Sequence, residues 1–170
     1  MDNGTFLDDL VEFPVKALHR IGIDRTIVSL LTDNENIDMD SEEADSIFDK
    51  YLFDYEYVDS TTTEAAAYIC VETETTKSST SAMNDMYLYV TIICHKQFMK
   101  IDSSRFKGLN GNRRDNLVRY VDEVLNSSDN YGVGALTLQS VRTATAPAGF
   151  SARELTYTIP AFRDKKDKKV

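Results

Sequence analysis

Two cysteines and two histidines are the residues of this 170-residue chain best suited to nucleophilic catalysis or metal binding. Cys94 and His95 are adjacent, and neighbouring residues of a strand point to opposite faces, so they cannot form a nucleophile–base pair. Cys70 lies in another predicted strand and could lie beside Cys94. A core contact is then favoured over a metal site, because zinc usually needs four ligands at familiar spacings. The apolar pattern around Cys94 predicts a buried, unreactive thiol.

An acidic run in the first third of the chain has the composition of a calcium-binding loop. Asp38, Asp40 and Glu42 have the spacing of its first, third and fifth ligands. In that alignment Glu43 stands where the loop requires a glycine for its sharp turn. The run therefore indicates a solvated acidic loop followed by a helix, and we expect neither a metal nor a cofactor.

Two glycine-containing segments have the composition of catalytic or phosphate-binding loops. The segment 132–134 follows a predicted helix and precedes a strand, the reverse of the order in nucleotide-binding folds. The segment 149–151 ends in Ser151 but lacks the second glycine and the preceding strand of a nucleophile elbow. A hydrolase using Ser151 would need His19 within hydrogen-bond reach. We expect turns at both segments and no enzymatic activity.

A basic segment in the second half is the strongest candidate for a binding surface. It contains Lys96, Lys100, Arg105, Lys107, Arg113, Arg114 and Arg119. Three interpretations are open: contact with nucleic acid phosphates, pairing with the acidic first half of a neighbouring subunit, and a solvated loop. Interleaved acidic residues and a net-negative chain favour a protein partner over nucleic acid. The candidate interface residues are Arg105, Lys107, Arg113, Arg114 and Arg119, together with Asp38, Asp40, Glu42 and Glu43.

The net charge of -9 is the sum of two unlike halves. Residues 1–85 contain 20 acidic and 5 basic residues, whereas residues 86–170 contain 8 acidic and 14 basic residues. Overall acidity argues against a general DNA-binding domain. The longest apolar stretch, residues 87–94, is much shorter than the roughly 20 residues of a membrane-spanning helix. An acidic beginning without Lys or Arg indicates no secretory signal, so synthesis in a cytoplasm is expected.

The hydrophobic pattern predicts helices in the first 60 residues. Apolar residues at near-helical spacing over residues 15–31 indicate a helix that is interrupted near Gly22 and Asp24. Asp40 is the predicted N-cap of a further short helix that continues through Tyr51, with Glu43 three residues after the cap. Asn112 is the predicted N-cap of a helix whose apolar stripe contains Leu117 and Val121.

Four segments have the pattern of strands. They are predicted at residues 68–73, 86–95, 135–142 and 153–159, with a loop over residues 75–81 and with Pro160 ending the last strand. Residues 86–95 are apolar on both faces, which indicates a central strand covered on each side by helix, loop or partner subunit. The prediction is an α+β fold in the order helix, strand, strand, helix, strand, strand. Helices pack mainly on one face of an antiparallel sheet of about four strands.

The same pattern predicts one domain over residues 1–162. It has an acidic helical part at residues 1–60 and a sheet-and-helix part at residues 61–162. Residues 163–170 form a charged tail that is expected to be flexible.

Four segments of the chain resemble the neck and tail-completion proteins of long-tailed bacteriophages. They are residues 68–72, 86–90 and 112–117 and the alternating Leu155, Tyr157 and Ile159. The most similar type is the tail terminator, which forms a six-fold ring that caps the tail tube and joins it to the head connector. The resemblance implies a structural protein of the virion, made in the host cytoplasm, that binds other neck and tail proteins. It also implies a homo-oligomer, a hexamer or else a dodecamer, whose lumen passes DNA without specific binding and which has no membrane contact.

The opposite charges of the two halves fit such a ring, because head-to-tail contacts require two different and complementary surfaces on each subunit. Two alternatives remain open. One is a head-completion or adaptor ring of the connector, and the other is a cytoplasmic acidic module that binds a basic protein.

Overall fold

The computed structural model describes residues 8–77, 83–129 and 135–162. The helices are α1 (Asp8–Gly22), α2 (Arg25–Thr32), α3 (Glu42–Asp45), α4 (Ile47–Lys50) and α5 (Arg113–Leu125), with a 3-10 turn at Lys96–Phe98. The strands are β1 (Leu52–Phe53), β2 (Ala67–Lys77), β3 (Met83–His95), β4 (Thr137–Ala144) and β5 (Phe150–Phe162). The predicted tail 163–170 and the glycine turn 132–134 lie outside the described residues.

The interruption between α1 and α2 is confirmed. Asp24 caps α2 by accepting a hydrogen bond from the Ile27 amide at 2.9 Å, and it thereby satisfies one of the free N–H groups at the helix start. The helix ends at Asp33, which has a left-handed backbone with φ of 55°, a conformation that Asp tolerates better than most residues. This ending turns the chain and brings the Asp33 side chain next to the second half of the molecule.

The predicted N-cap at Asp40 is wrong by one residue. Ser41 caps α3 by accepting from the Ala44 amide, whereas the Asp38 carboxylate accepts from the Asp40 amide within the preceding turn. The helix is also shorter than predicted, because Ser46 separates α3 from α4. A serine hydroxyl and a short acidic side chain compete for the same cap, and the sequence contains both in succession.

The sheet has five strands in the order β1-β2-β3-β5-β4. All pairings are antiparallel except that of β1 with β2, which is parallel and joins Leu52 to Ile69 and Phe53 to Cys70. The α+β class and the central position of β3 are confirmed. The fifth strand was not predicted, because β1 has only two residues and lies in the part predicted to be helical.

Several strand boundaries differ from the prediction, three of them because β3 pairs along its whole length with β2 and β5. β2 continues through Lys77 and β3 begins at Met83, so much of the predicted loop 75–81 is strand, while residues 78–82 lie outside the described residues. β5 continues through Pro160, which is in register with Asp85. Pairing with β3 therefore extends β2 beyond its apolar residues and carries β5 past Pro160, which does not end the ladder as predicted.

The two faces of the sheet are covered differently. The face that we call the helix face contributes residues such as Val71, Val90 and Leu155 to the main core, where α1, α2 and α5 pack. The opposite face has a smaller core, which contains Tyr68, Ile93 and Phe150. Helix packing mainly on one face is therefore confirmed.

The cysteines lie on opposite faces of the sheet. Cys94 belongs to the main core and Cys70 to the smaller one, and Cys70 is in register with Thr91. The contact between the two thiols that the sequence left open is therefore not formed. Both are buried, so the predicted burial of Cys94 is confirmed, and burial raises the pKa of each thiol to about 11.

Helix α5 begins as predicted. The Asn112 side chain accepts from the Asp115 amide at 2.9 Å, and Leu117, Val121 and Leu125 are buried in the main core. This spacing of three or four residues puts one apolar face of α5 on the sheet. The first residue of the helix is Arg113, so the cap also fixes where that side chain enters the protein.

Candidate functional site

Arg113 lies at the junction of three elements. Its side chain is 2% exposed and donates to the Leu30 carbonyl at the end of α2 and to the Phe98 carbonyl after β3. It also donates to the Asp33 carboxylate, and its guanidinium lies 3.9 Å from the centre of the Phe98 ring. A buried guanidinium needs this set of acceptors, because an unpaired buried charge is very costly.

Arg105 approaches the same carboxylate from the solvent side. It donates to Asp33 at 3.0 Å and to Glu35 at 2.7 and 3.0 Å. We call Arg105, Arg113, Asp33 and Glu35 the charge cluster. Burial acts to raise the pKa of Asp33, but hydrogen bonds from Arg113 and Arg105 outweigh it and hold that pKa below its ordinary value. The hydrogen bond from Arg105 likewise lowers the pKa of Glu35.

The charge cluster joins the basic segment to the acidic half of the same chain. From the sequence, three partners were open for the basic segment: a neighbouring subunit, nucleic acid and solvent. None of these is the partner of Arg113, which donates to groups of its own chain. With 2% of its side chain exposed, Arg113 offers almost no surface to a partner, so its selection as an interface residue is corrected. Its role is to hold α2, α5 and the end of β3 together.

Arg114 also has a mainly intramolecular environment. It donates to the Ser151 hydroxyl and to Asp115, and Asp115 also pairs with Arg153. Burial acts to raise the pKa of Asp115, but hydrogen bonds from Asn112 and Arg114 lower it overall.

The hydrolase alternative gains no support from these contacts. Among the described residues, the hydrogen bond of Ser151 is with Arg114, whereas His19 stacks on Phe48 on another part of the surface. The serine and its only candidate base are therefore not brought together.

Arg105, Lys107 and Arg119 are the exposed basic candidates, and of these Arg105 already belongs to the charge cluster. Arg119 pairs with Glu123 one helical turn away at 2.9 Å. Lys107 lines a depression of about 260 Å³ together with Arg25, Ser29 and Tyr120. These two cations are accessible to a partner, although Arg119 already has an anion beside it.

The four acidic candidates are all on the surface. Asp38, Asp40, Glu42 and Glu43 are exposed, and their polar contacts are local, such as the hydrogen bond from Asn34 to Glu43. Residues 38–64 contain ten acidic residues and one basic residue, Lys50. None of the ion pairs among the described residues includes an acid of this segment, which we call the acidic segment.

An apolar cleft beside the acidic segment was missed by the sequence analysis. It has a volume of about 560 Å³ and is lined by residues including Val15, Phe48, Leu52 and Tyr55. Next to it, the rings of Phe53 and Tyr57 stack with centres 3.9 Å apart. The signal that could have identified this region is the run of four aromatic residues over 51–57.

The described residues contain no group of three or more His, Cys, Asp or Glu side chains placed to hold a metal ion. No helix in the described ranges is both long and apolar enough to cross a membrane.

The antiparallel sheet, the helices on one face and the charge cluster that links the two halves define a small α+β protein. The family YomW matches residues 24–159. This match covers most of the chain, which therefore belongs to the YomW family, a phage-derived family. No curated protein matches the chain.

Proposed function

We propose that this phage-family chain is a structural protein of the virion. In this proposal its copies form a ring in the neck, which terminates the tail tube and joins the tail to the head connector. The phage-derived family supports the general setting, and the resemblance of the strand and helix segments to tail terminators supports the particular position. The protein acts by assembly, without an enzymatic step.

The observation that carries the proposal is the unpaired negative charge of the acidic segment. Its ten acidic residues have no ion-pair partners among the described residues, and Asp38, Asp40, Glu42 and Glu43 are exposed. Such a surface repels duplex DNA, because both are strongly negative. A neck ring with these residues at its lumen would let DNA pass without retaining it.

The arginines of the second half have a different role in this proposal. Arg105, Arg113 and Arg114 are neutralised within the chain, so they contribute little to a positive outer surface. Contacts with the tail tube and with other neck proteins then depend on the exposed cations Lys107 and Arg119 and on the acidic segment. Pairing across layers would be mainly with basic groups of other neck and tail proteins.

This proposal is tested by the assembly state of the purified protein and by its copy number in purified phage particles. Native mass spectrometry and negative-stain electron microscopy of concentrated protein are expected to show rings. Quantitative mass spectrometry of purified particles of the encoding phage is expected to find about six copies per particle, the copy number of a six-fold ring. Twelve copies would instead indicate a head-completion or adaptor ring. A protein absent from purified particles would overturn the virion assignment.

The same acidic segment also favours a second candidate, a cytoplasmic module that binds a basic protein. Strong unpaired charge raises association rates with an oppositely charged partner whether or not the protein assembles. A chain that stays monomeric at high concentration and is absent from particles, yet captures a basic host or phage protein, would be this module.

A further inference from the structure

Both edges of the sheet have backbone that no described strand covers. At one edge, β4 pairs with β5 on its inner side only. At the other edge, β1 pairs with β2 only at Ile69 and Cys70, so in the described part of the chain no strand lies beside β2 from Val71 to Lys77. Unpaired N–H and C=O groups along such edges are ready to pair with another strand.

The strand directions make these two edges complementary. β2 and β5 are both antiparallel to β3, and β4 is antiparallel to β5. β4 therefore runs antiparallel to β2. If a second copy stands beside the first in the same orientation, the β4 edge of one meets the β2 edge of the next as an antiparallel pair. The helix face then continues across the boundary as one surface.

The register of the sheet places residues of β4 and residues of β2 in the same cross-strand rows. One cross-sheet row joins Ser140, Thr156, Tyr89 and Glu72, so Ser140 and Glu72 end the same row on the face opposite the helices. The unpaired part of β2 begins in the row of Val141, through Leu155 and Val90 to Val71. The open lengths of the two edges therefore overlap without a shift along the strands.

The side chains at these edges are complementary in charge. On the face opposite the helices, the Arg142 side chain of β4 is 65% exposed, while Glu72 and Glu74 of β2 are exposed. Arg142 already holds Glu154 of its own chain through one carboxylate oxygen, and its planar guanidinium has further N–H groups for a second carboxylate. The β4 edge thus carries one cation, and the β2 edge carries two anions.

On the helix face one exposed valine lies on β4 and another lies on α1 near the β2 edge. Val141 of β4 is 43% exposed. Near the β2 edge, the Thr73 hydroxyl donates to the Leu10 carbonyl of α1, and the next residue, Val11, is 71% exposed. Apolar side chains of this size gain by mutual burial.

We propose that the β4 edge of one subunit pairs with the β2 edge of a second copy of this chain, head to tail, and so continues the sheet from subunit to subunit. The occupant of each edge is thus the other edge of an identical subunit. A contact between two different surfaces closes into a ring when the rotation between copies allows it. The inference rests on the proposed ring and names the contact that builds it.

Thiol cross-linking of mixed single variants tests this contact. Ser140→Cys and Glu72→Cys place reactive thiols on the two exposed edges, and the buried native cysteines make the wild-type protein the control for background. With a short bis-maleimide, a mixture of the two variants is expected to give cross-linked dimers at least ten times above wild type. Neither variant alone is expected to do so. Circular dichroism and urea unfolding verify that each variant is folded.

The possible results of the cross-linking experiment separate the edge contact from the ring function. Dimers from Ser140→Cys alone would show β4 pairing with β4 and overturn the head-to-tail contact. Rings in the microscope without mixed cross-links from folded variants would overturn the edge contact and leave the ring function standing. If neither rings nor cross-links form, and the protein is absent from particles, both proposals are overturned. Mixed cross-links with an open series of oligomers would support the edge contact and contradict ring closure.

Discussion

The buried guanidinium of Arg113 donates a hydrogen bond to the carboxylate of Asp33, 80 residues earlier in the chain. The two residues lie at element ends, Arg113 at the first position of α5 and Asp33 at the left-handed ending of α2. Together with the hydrogen bonds from Arg105 to Asp33 and Glu35, this contact connects the acidic helical half with the sheet-and-helix half. The opposite charges of the two halves therefore serve folding first.

We expect Arg113→Ala to destabilise the protein strongly. The change leaves the buried carbonyls of Leu30 and Phe98 without their donor and removes the partner of Asp33, a loss of about 3 kcal/mol in the free energy of unfolding. Urea unfolding followed by circular dichroism measures it. The matched control is Arg119→Ala on the same helix, an exposed arginine with an ion pair to Glu123, which should change stability little.

Because Arg113 is buried, charge reversal at this position tests folding and not the contact between subunits. Arg113→Glu would place a carboxylate beside Asp33 in a buried site, so loss of assembly in that variant would report unfolding. An Arg113→Ala variant as stable as wild type would contradict the structural role assigned to this residue.

We expect acid to weaken the charge cluster. The pKa of Asp33 in the folded protein lies below its ordinary value of 3.8, so the stabilisation is complete above pH 3.8 and is lost as the pH falls through the lower folded value. Asp33→Asn removes this term, and Asn also tolerates the left-handed backbone at this position. Urea midpoints should show the variant less stable at pH 7, with the two proteins converging as the pH falls below 3.8.

A constant difference between the two proteins over that pH range would contradict the assignment. Asp24→Asn is a suitable control, because Asn keeps the N-cap acceptor of α2 and Asp24 lies outside the charge cluster.

We expect both native thiols to be unreactive in the folded protein. Cys94 is fully buried and Cys70 is 3% exposed, and burial raises the pKa of both to about 11, so the reactive thiolate is scarce at neutral pH. Ellman's reagent should label both only after urea unfolding. Oxidation should give no internal disulfide, because the residues lie on opposite faces of the sheet. Rapid labelling of either thiol under native conditions would contradict the structure.

We expect neutralisation of the acidic segment to increase retention on DNA without harming the fold. The variant combines Asp38→Asn, Asp40→Asn, Glu42→Gln and Glu43→Gln, which keep a hydrogen-bond acceptor at each site and remove four negative charges. Retention on immobilised duplex DNA at low salt should rise several-fold over wild type, because like-charge repulsion is reduced. Glu12→Gln, an exposed acid on α1, is the control. Equal retention of wild type and the fourfold variant would argue against a DNA-repelling surface.

Local signals in the sequence were sufficient for most of the secondary structure. Asn112 predicted the start of α5, the Gly22–Asp24 interruption predicted two helices, and the two-sided apolar pattern predicted that β3 is central. These features succeed because caps and periodicity act within a few residues. The ends of β2 and β5 could not be predicted in the same way, since pairing with β3 extends β2 past its apolar residues and β5 past Pro160.

The sequence by itself determined the α+β class, the order of the main elements and the uneven distribution of charge. Only the tertiary structure decided what that charge does. It buries Arg113 against Asp33, binds Arg105 to Glu35 and leaves Asp40 and its acidic neighbours unpaired at the surface. Composition counts all of these charges alike, because whether two charges meet depends on how elements 70 to 80 residues apart pack together.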